Sequence, residues 1–307
     1  MPKLRKTNLE VSNVCFGGNV FGWTAGQVES FKLLDRFTEL GGNFIDTADV
    51  YSAWKDGNSG GESETIIGNY LKLKGNRSDL VIATKVAMLE RRKGLSKANI
   101  IAACNDSLER LQTDHIDIYY AHSDDLETDL AETLDGFNAL VESGKVRYIA
   151  ASNYTYERLD EALKISKENG WAKYVALQNR YSLVAREPYE SDGAKSVEDF
   201  GISGLPYSTL GSGFLSGKYR EGLKVDSQRS EGVTNNYLNQ ENLELLKRLE
   251  DVAREYKVSN TSVALSWLRR QPGVTVPLAS ARTIEQLDAL MEEVELTHQE
   301  LDFIAGQ

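Results

Sequence analysis

The segment NFIDTADVY, residues 43–51, begins as a buried β-strand and ends as a group of polar side chains. Its apolar pair at residues 44–45 leads directly to the carboxyl group of Asp46, and the phenol of Tyr51 follows five residues later. A short apolar run that ends in polar residues is typical of a buried parallel strand. The order of residues therefore indicates a strand that delivers functional groups to one edge of a sheet.

Around this segment, short β-rich runs alternate with longer stretches of helical spacing. Apolar side chains recur every three positions up to Leu40, and Gly41 and Gly42 follow as a helix stop. Ser96 precedes another helical stretch as a cap. Strands are predicted at residues 14–16, 43–47, 80–85, 116–121, 146–151, 174–178, 202–207 and 274–278. Helices are predicted at 28–40, 62–73, 96–111, 130–143, 156–168, 192–200, 240–256, 261–270 and 284–294, after a hairpin near residues 4–11.

The alternation continues for eight strand–helix units, with no Pro/Gly-rich linker between them. Strands separated by helices pair in parallel through right-handed crossovers. Eight units within about 250 to 300 residues predict an α/β fold, a (β/α)8 TIM barrel with an N-terminal β-hairpin and extra helices. One barrel domain is expected over residues 1–307. A doubly wound open sheet is the alternative.

The composition excludes several classes of protein. The chain has 307 residues with 46 acidic and 35 basic side chains, a formal net charge of −11. Nucleic-acid binders and peripheral membrane proteins need basic surfaces, so neither kind of partner is expected. No apolar stretch reaches 18 residues, and the basic N-terminus lacks the apolar segment of a signal peptide. Cys15 and Cys104 form no CxxC pair, so a reduced, cytoplasmic protein is expected.

A barrel of this kind carries its functional groups just beyond the carboxyl ends of its strands. Seven of the eight predicted strands end in, or lead directly to, a polar residue. In chain order these residues are Asp46 with Tyr51 in its loop, Lys85, His122, Ser152 with Asn153, Gln178, Tyr207 and Ser280. Their shared position predicts a single site at one rim of the barrel.

Four of these residues suggest a general acid aimed at a carbonyl group. A free phenol has a pKa of about 10, and a nearby ammonium stabilises the phenolate and lowers that value. A carboxylate keeps the lysine charged and oriented, so Asp46, Lys85 and Tyr51 are predicted to form a proton relay. His122 is expected to hydrogen-bond the substrate oxygen. The alternative for each residue is structural, as a turn residue or helix cap, a solvated lysine or a packed histidine.

Seven segments of the chain resemble one family in their order and spacing. They are NFIDTADVYS, VIATKV, IDIYYAHSDD, YIAASNYT, ALQNRYSLVAREPYE, LPYSTLGSGFLSGKY and PLASARTIEQL. From about residue 4 to residue 290 the chain resembles the aldo-keto reductase superfamily. The resemblance implies an NADPH-dependent enzyme that reduces an aldehyde or ketone to an alcohol. It also implies a catalytic tetrad of Asp46, Tyr51, Lys85 and His122, with Tyr51 as the general acid/base.

The resemblance further implies positions for the cofactor, NADPH or NADP⁺. Amide and hydroxyl groups suit the nicotinamide carboxamide, an aromatic face suits its ring, and an arginine suits a phosphate. By position, the residues that hold the carboxamide are matched by Ser152, Asn153 and Gln178, and the residue that stacks on the ring is matched by Tyr207. The segment over the pyrophosphate is matched by Leu210, Ser212, Gly213 and Lys218. The surroundings of the adenosine ribose and its 2′-phosphate are matched by Ser280, Arg282 and Gln286.

The expected substrate is a small carbonyl compound, with Phe21, Trp23, Trp54 and Asp124 as candidates for the pocket wall. Three alternatives stay open. They are an NAD(P)-dependent sugar or polyol dehydrogenase, a cofactor-sensing regulatory subunit resembling potassium-channel β subunits, and a metal-dependent barrel hydrolase. The hydrolase needs clustered histidines, and the three present are scattered, so no metal is expected. The specific substrate, the physiological direction and the oligomeric state stay open.

Overall fold

The computed structural model describes residues 1–220, 222, 225, 228 and 230–307. Its core is a sheet of eight parallel strands. They are β1 (Cys15–Gly17), β2 (Phe44–Asp46), β3 (Val81–Val86), β4 (Ile116–Ala121), β5 (Val146–Ser152), β6 (Tyr174–Gln178), β7 (Ser203–Gly204) and β8 (Leu278–Ala279). Strands β1 to β7 follow one another in space as in the chain, and β8 pairs with β1.

The sheet closes into a barrel between β7 and the segment that leads to β8. The Thr275 N–H donates to Gly204 O at 2.8 Å, and the Leu278 N–H donates to Pro206 O at 2.9 Å. A parallel bridge also joins Gly204 to Val274. Closure pairs the two edges that an open sheet would expose. The predicted (β/α)8 barrel is thereby confirmed, and the open doubly wound sheet is excluded.

Helices follow the strands and pack around the barrel. In the part of the chain that the structure describes they are α1 (Gln27–Glu39), α2 (Glu62–Lys74), α3 (Lys97–Leu111), α4 (Leu130–Glu142), α5 (Tyr156–Asn169), α6 (Ala194–Phe200), α7 (Ser230–Tyr237), α8 (Gln240–Tyr256), α9 (Asn260–Arg269), α10 (Ile284–Met291) and α11 (His298–Ala305). The Ser96 hydroxyl accepts a hydrogen bond from the Asn99 N–H and caps α3, as predicted. Gly41 follows α1 with a φ of +80°, a conformation that favours glycine.

Side-chain alternation decides which residues enter the barrel. Phe44 and Ala83 belong to the apolar cluster inside the barrel, whereas Ile45 belongs to the cluster beneath the helices. Successive residues of a strand point to opposite faces of the sheet. Asp46 therefore lies on the same inner face as Phe44, and Lys85 lies on the same inner face as Ala83. The alternation brings a carboxylate and an ammonium together inside the barrel.

An N-terminal hairpin covers the amino end of the barrel. The Leu4 N–H donates to Leu9 O at 3.0 Å, and both side chains are buried in the apolar cluster of the barrel interior. The Arg5 N–H donates to Ser203 Oγ at the start of β7. The hairpin predicted near residues 4–11 is therefore present. Apolar side chains of the hairpin therefore pack against the interior of the barrel at its amino end.

The last two strands are shorter than the sequence predicts. β7 covers only Ser203–Gly204, whereas a strand was predicted at residues 202–207. β8 covers only Leu278–Ala279, whereas a strand was predicted at residues 274–278. Pro206 and Pro277 lack an N–H group, so each interrupts the hydrogen-bonded ladder. The chain still runs alongside its neighbours here, which is why the barrel closes.

Two helices also differ from prediction. α10 ends at Met291 rather than at residue 294, because Glu292 adopts an extended backbone with φ −72° and ψ 130°. α7 was not predicted, since its polar sequence SEGVTNNY has little apolar periodicity. Across the described residues, no helix combines the length and the apolar character needed to cross a bilayer.

Candidate active site

The phenol of Tyr51 lies against a buried ion pair. Lys85 Nζ lies 2.5 Å from Asp46 Oδ2 and donates to Tyr51 Oη at 2.9 Å. The Tyr51 hydroxyl donates to Asp46 Oδ2 at 3.2 Å. The lysine and aspartate side chains are both fully buried. The three groups expected to form a relay are therefore in direct contact.

The barrel wall holds the ion pair in place. Asp46 ends β2, and Lys85 is the last residue but one of β3. Lys85 Nζ also donates to Thr47 O at 2.8 Å, and Gln178 Nε2 donates to Asp46 Oδ1 at 3.1 Å. Each oxygen of the carboxylate therefore has a donor. Removing either charge would leave the other buried and unpaired, which costs about 3–5 kcal/mol.

The surroundings of the phenol favour its protonated form. Burial raises the pKa of Tyr51 well above its ordinary value, and the Asp46 carboxylate raises it further. This direction is opposite to the sequence-based expectation, in which Lys85 lowers the pKa of the phenol. The reason is that burial penalises the phenolate, and the lysine charge is already shared with Asp46. Tyr51 therefore holds its proton at neutral pH, as a proton donor must.

His122 faces the phenol as a neutral imidazole. The ring centroids of His122 and Tyr51 are 6.0 Å apart in an edge-to-face arrangement. Burial lowers the pKa of His122 well below its ordinary value, and the Lys85 ammonium lowers it further. Its Nδ1 is buried and makes no hydrogen bond to any described residue. A neutral imidazole has one N–H donor and one acceptor, so this ring can bind an oxygen atom.

A cavity of about 480 Å³ opens above Tyr51 at the carboxyl ends of the strands. Most of the residues predicted for the site line it. They are Trp23, Tyr51, His122, Ser152, Asn153, Gln178, Tyr207, Leu210, Ser212, Gly213, Lys218, Ser280, Arg282 and Gln286. Asp46 and Lys85 do not line it, because they lie buried behind the phenol. Strand ends far apart in the sequence thus meet around one space.

Asn153 connects three strand ends on the cavity wall. Its Nδ2 donates to His122 O at 2.9 Å and to Ser152 Oγ at 3.1 Å, and its Oδ1 accepts from Tyr207 Oη at 2.8 Å. Its backbone is left-handed, with a φ of +59°, which asparagine tolerates better than most residues. The Ser152 hydroxyl donates to Gln178 O at 2.8 Å. The polar wall is therefore fixed by its own hydrogen bonds.

The loop after β7 turns along the cavity through left-handed backbone. Ser208, Ser212 and Gly213 have φ values of +55°, +55° and +98°. Such turns can direct successive N–H groups at an anion. Lys218, at the end of the loop, lines the same cavity, and its Nζ lies 5.3 Å from the centroid of the Tyr219 ring. This loop is thus suited to a charged ligand such as a pyrophosphate.

The segment after β8 forms the far end of the cavity. The Ser280 hydroxyl donates to Asn19 Oδ1 at 2.6 Å, across the seam between β8 and β1. The Arg282 N–H donates to Gln286 Oε1 at 2.9 Å, and Thr283 caps α10. Within the described residues, the Arg282 guanidinium forms no ion pair. Its charge is available to a ligand.

The four residues predicted for the substrate wall lie in different places. Trp23 lines the cavity. The half-exposed ring of Trp54 packs edge-to-face against the rings of Trp23 and Tyr51, with centroid distances of 5.7 Å and 6.1 Å. Phe21 is fully buried, with its ring edge-to-face against that of Phe16, and it does not line the cavity. Asp124 does not line the cavity either, because an ion pair with Arg158 at 2.9 Å holds it elsewhere.

Other wall residues were not predicted from the sequence. Asn19 lies two residues beyond β1, so its position at a strand end is the sequence signal that points to it. Thr261 comes from α9, where no sequence signal pointed to the cavity. The full set is Asn19, Val20, Thr24, Met88, Ser208, Thr209, Ser216, Gln228, Thr261, Leu278, Ala279 and Leu290.

The fold and the cavity define a class of protein. A closed parallel barrel carries the carboxylate of Asp46, the ammonium of Lys85 and the phenol of Tyr51 at its carboxyl rim. Barrel enzymes bind their substrates at this rim. No cluster of three or more His, Cys, Asp or Glu suited to a metal ion occurs among the described residues. The class is therefore a (β/α)8-barrel enzyme with acid–base groups beside a deep ligand cavity.

Comparison with known proteins identifies the family. The model of the aldo/keto reductase family matches residues 13–305. The chain is 31% identical to Protein tas of Escherichia coli (strain K12), over 96% of this chain and 92% of that protein. It is 32% identical to the uncharacterized oxidoreductase YrpG of Bacillus subtilis (strain 168), over 96% and 90%. A probable voltage-gated potassium channel subunit beta of Oryza sativa subsp. japonica is 28% identical, over 95% and 90%.

The chain belongs to the aldo/keto reductase family. It is an NAD(P)H-dependent oxidoreductase, and the family acts on small carbonyl substrates. The cavity lies at the carboxyl rim of the barrel, the part of this fold at which barrel enzymes carry their active sites.

Proposed function

We propose that the protein reduces an aldehyde or ketone to an alcohol with NADPH, and that Tyr51 donates the proton. The observation that carries this proposal is the phenol of Tyr51 at the cavity floor, 2.9 Å from a buried ammonium and 3.2 Å from a buried carboxylate. A proton donor in this position can reach the oxygen of a carbonyl compound bound in the cavity.

The residues around the cavity fit a nicotinamide cofactor. The wall carries amide and hydroxyl groups for a carboxamide, the ring of Tyr207 for stacking and a left-handed loop for a pyrophosphate. It also carries Arg282, which forms no ion pair with any described residue, for a phosphate. The bound cofactor supplies a hydride to the carbonyl carbon. We assign the carboxamide to Ser152, Asn153 and Gln178, and the adenosine end to Ser280, Arg282 and Gln286.

In this assignment the protein groups bind the carbonyl oxygen and protonate it. His122 and Tyr51 converge on the oxygen, and the imidazole orients it by a hydrogen bond. As negative charge develops there, Tyr51 gives up its proton. The Lys85 ammonium, 2.9 Å away, stabilises the phenolate that remains. Asp46 holds the lysine charged and oriented.

The three contacts of the Asp46 carboxylate support this division of roles. Lys85, Tyr51 and Gln178 all donate to it. Gln178 belongs to the proposed cofactor contacts and also touches the catalytic aspartate. The carboxylate therefore joins the proton donor to the wall that holds the nicotinamide.

A second candidate function is that of a cofactor-sensing regulatory subunit. The observation that favours it is the similarity to the rice protein named as a probable potassium channel subunit beta. Such a protein would bind NADPH tightly and turn it over slowly. A sugar or polyol dehydrogenase would use the same groups in reverse.

We also propose a single barrel domain over residues 1–307 and a cytoplasmic location. The one continuous barrel supports the first. The two buried cysteines, Cys15 and Cys104, which form no disulfide, support the second.

The test is a screen of aldehydes, ketones and sugars that follows absorbance at 340 nm with NADPH and, separately, with NADH. We expect turnover of at least one aldehyde or ketone with NADPH. Tight NADPH binding without turnover of any carbonyl compound would favour the regulatory subunit instead. Turnover of polyols with NADP⁺, faster than any reduction, would favour the dehydrogenase.

A further inference from the structure

A buried carboxyl group next to Tyr51 has no part in the chemistry proposed above. Asp49 lies within residues 47–51, the segment that we call the Tyr51 turn. It is 1% exposed, and both of its carboxyl oxygens are buried without a hydrogen bond to any described residue. Buried polar atoms are paired in the great majority of cases. The site therefore calls for an explanation.

The Tyr51 turn is tied to the strand that carries the lysine. The Asp49 N–H donates to Lys85 O at 3.2 Å. The Tyr51 N–H donates to Ala48 O at 3.1 Å and closes the turn. A displacement of Asp49 would therefore move the phenol relative to Lys85 Nζ. The 2.9 Å contact between these two groups depends on where the turn lies.

Charged and titratable groups face Asp49 from several neighbouring elements. α2 supplies the fully buried Glu64, α3 supplies Arg110, and the segment after β3 supplies Arg91. β4 supplies Tyr119, whose hydroxyl is also buried without a partner among the described residues. Burial, and then the Glu64 carboxylate, raise the pKa of Asp49 to about 8, whereas Arg110, the backbone N–H of Val50 and Arg91 oppose this rise.

The arginines are already engaged by other groups. Arg110 Nε lies 2.6 Å from Glu64 Oε2, and Arg91 donates to the backbone carbonyls of Ser59 and Gly60. An ionised Asp49 would thus be a buried charge without an ion-pair partner among the described residues, beside a second carboxylate. Such a charge is costly unless the structure moves to solvate or pair it.

We propose that Asp49 is a positioning residue, which as a neutral acid keeps the Tyr51 turn in place and on ionisation displaces it. This role rests on the proposed function of Tyr51. Below pH 8 the acid is neutral and the phenol stays against Lys85. Above pH 8 the acid ionises and the turn shifts, while burial keeps the proton on Tyr51 itself. A loss of activity between pH 7.5 and 9.5 would therefore report Asp49 rather than Tyr51.

The first test compares the pH dependence of kcat for carbonyl reduction in the wild type and in Asp49→Asn. The wild type should lose up to roughly 30-fold between pH 7 and 9.5, as one group with a pKa of about 8 titrates. The variant should stay within about twofold over the same range. Asp56→Asn, an exposed change in the same loop, should keep the wild-type profile. A wild-type profile in the Asp49 variant would overturn the proposal.

The second test needs no substrate and separates this proposal from that of Tyr51. Trp54 packs against Tyr51 at 6.1 Å, so its fluorescence should report the position of the turn. We expect a transition near pH 8 in the wild type that is absent in Asp49→Asn and in Trp54→Phe. If no carbonyl compound is reduced, the proposed function fails, and this titration still decides the role of Asp49. If the fluorescence of the wild type shows no transition near pH 8, the proposed role of Asp49 is wrong. Asp49→Ser serves if the asparagine variant does not fold.

Discussion

Arg282→Ala should weaken the binding of NADPH and leave that of NADH nearly unchanged. The two cofactors differ at the 2′-position of the adenosine ribose, where only NADPH carries a phosphate. Arg282 lines the far end of the cavity, and its guanidinium has no ion-pair partner among the described residues. It stands next to the start of α10, where the Thr283 cap leaves further N–H groups at the positive end of the helix dipole.

The expected loss of NADPH affinity follows from the hydrogen bond that the arginine can donate to the phosphate. A hydrogen bond to a charged group contributes about 1.5–3 kcal/mol. Loss of this contact corresponds to an increase of roughly 10- to 150-fold in the dissociation constant. The Ser280 hydroxyl does not replace it, because that hydroxyl already donates to Asn19. The assay is a titration of both reduced cofactors by protein fluorescence at fixed ionic strength.

Two control variants make this prediction specific. Arg282→Lys keeps the charge but loses the planar fork, so NADPH affinity should fall by less than in the alanine variant. Arg270→Ala removes an exposed arginine that does not line the cavity, and neither cofactor should be affected. If Arg282→Ala weakened the binding of NADPH and NADH equally, or weakened the binding of neither, this segment would not bind the 2′-phosphate.

Two further predictions concern Tyr207 and the ion pair. Tyr207→Ala should raise the dissociation constants of NADPH and NADP⁺ by the loss of a stacking face, about 0.5–1.5 kcal/mol, plus lost burial. Tyr207→Phe, which loses only the hydrogen bond to Asn153, should change them less, and equal effects of both variants would argue against stacking. Lys85→Met and Asp46→Asn should each lower kcat, and the double variant should lose less than the sum of the two free energies, because the groups are in contact. Strict additivity in steady-state kinetics would contradict a shared relay.

The barrel and the meeting of its strand ends could be predicted because both follow from periodicity. Short β-rich runs between helical stretches predicted the long strands, and parallel pairing requires their carboxyl ends to meet at one rim. The prediction from strand ends placed Tyr51, His122, Gln178 and Ser280 at one site, and all four line one cavity although they are far apart in the chain. It worked less well for β7 and β8, where proline shortens the ladder without changing the path of the chain.

The direction of a side chain in a loop could not be predicted in the same way. Phe21 and Trp23 both follow β1, yet one ring fills the core and the other lines the cavity. Asp124 follows His122 by two residues, but its partner Arg158 comes from α5, and no local pattern indicates that pairing. Such contacts depend on which helix packs against the loop, which is a tertiary property.

The pKa of the Tyr51 phenol was also predicted in the wrong direction. The sequence indicated a lysine close to Tyr51, and this is correct. It did not reveal that the phenol, the lysine and the carboxylate are all enclosed, so that burial outweighs the ammonium in its effect on the pKa of Tyr51. Burial depends on the whole barrel and cannot be read from neighbouring residues.

The most direct test of the account is single-turnover reduction of a carbonyl compound by NADPH in Tyr51→Phe. The variant keeps the ring and removes only the hydroxyl that contacts Lys85 and Asp46. We expect the rate of the chemical step to fall by roughly 10²- to 10⁴-fold, the usual contribution of general acid catalysis. The dissociation constant of NADPH should stay within about twofold, and Tyr256→Phe, remote from the cavity, should match the wild type. A Tyr51→Phe variant that reduces the substrate at the wild-type rate would contradict the assignment of the proton donor.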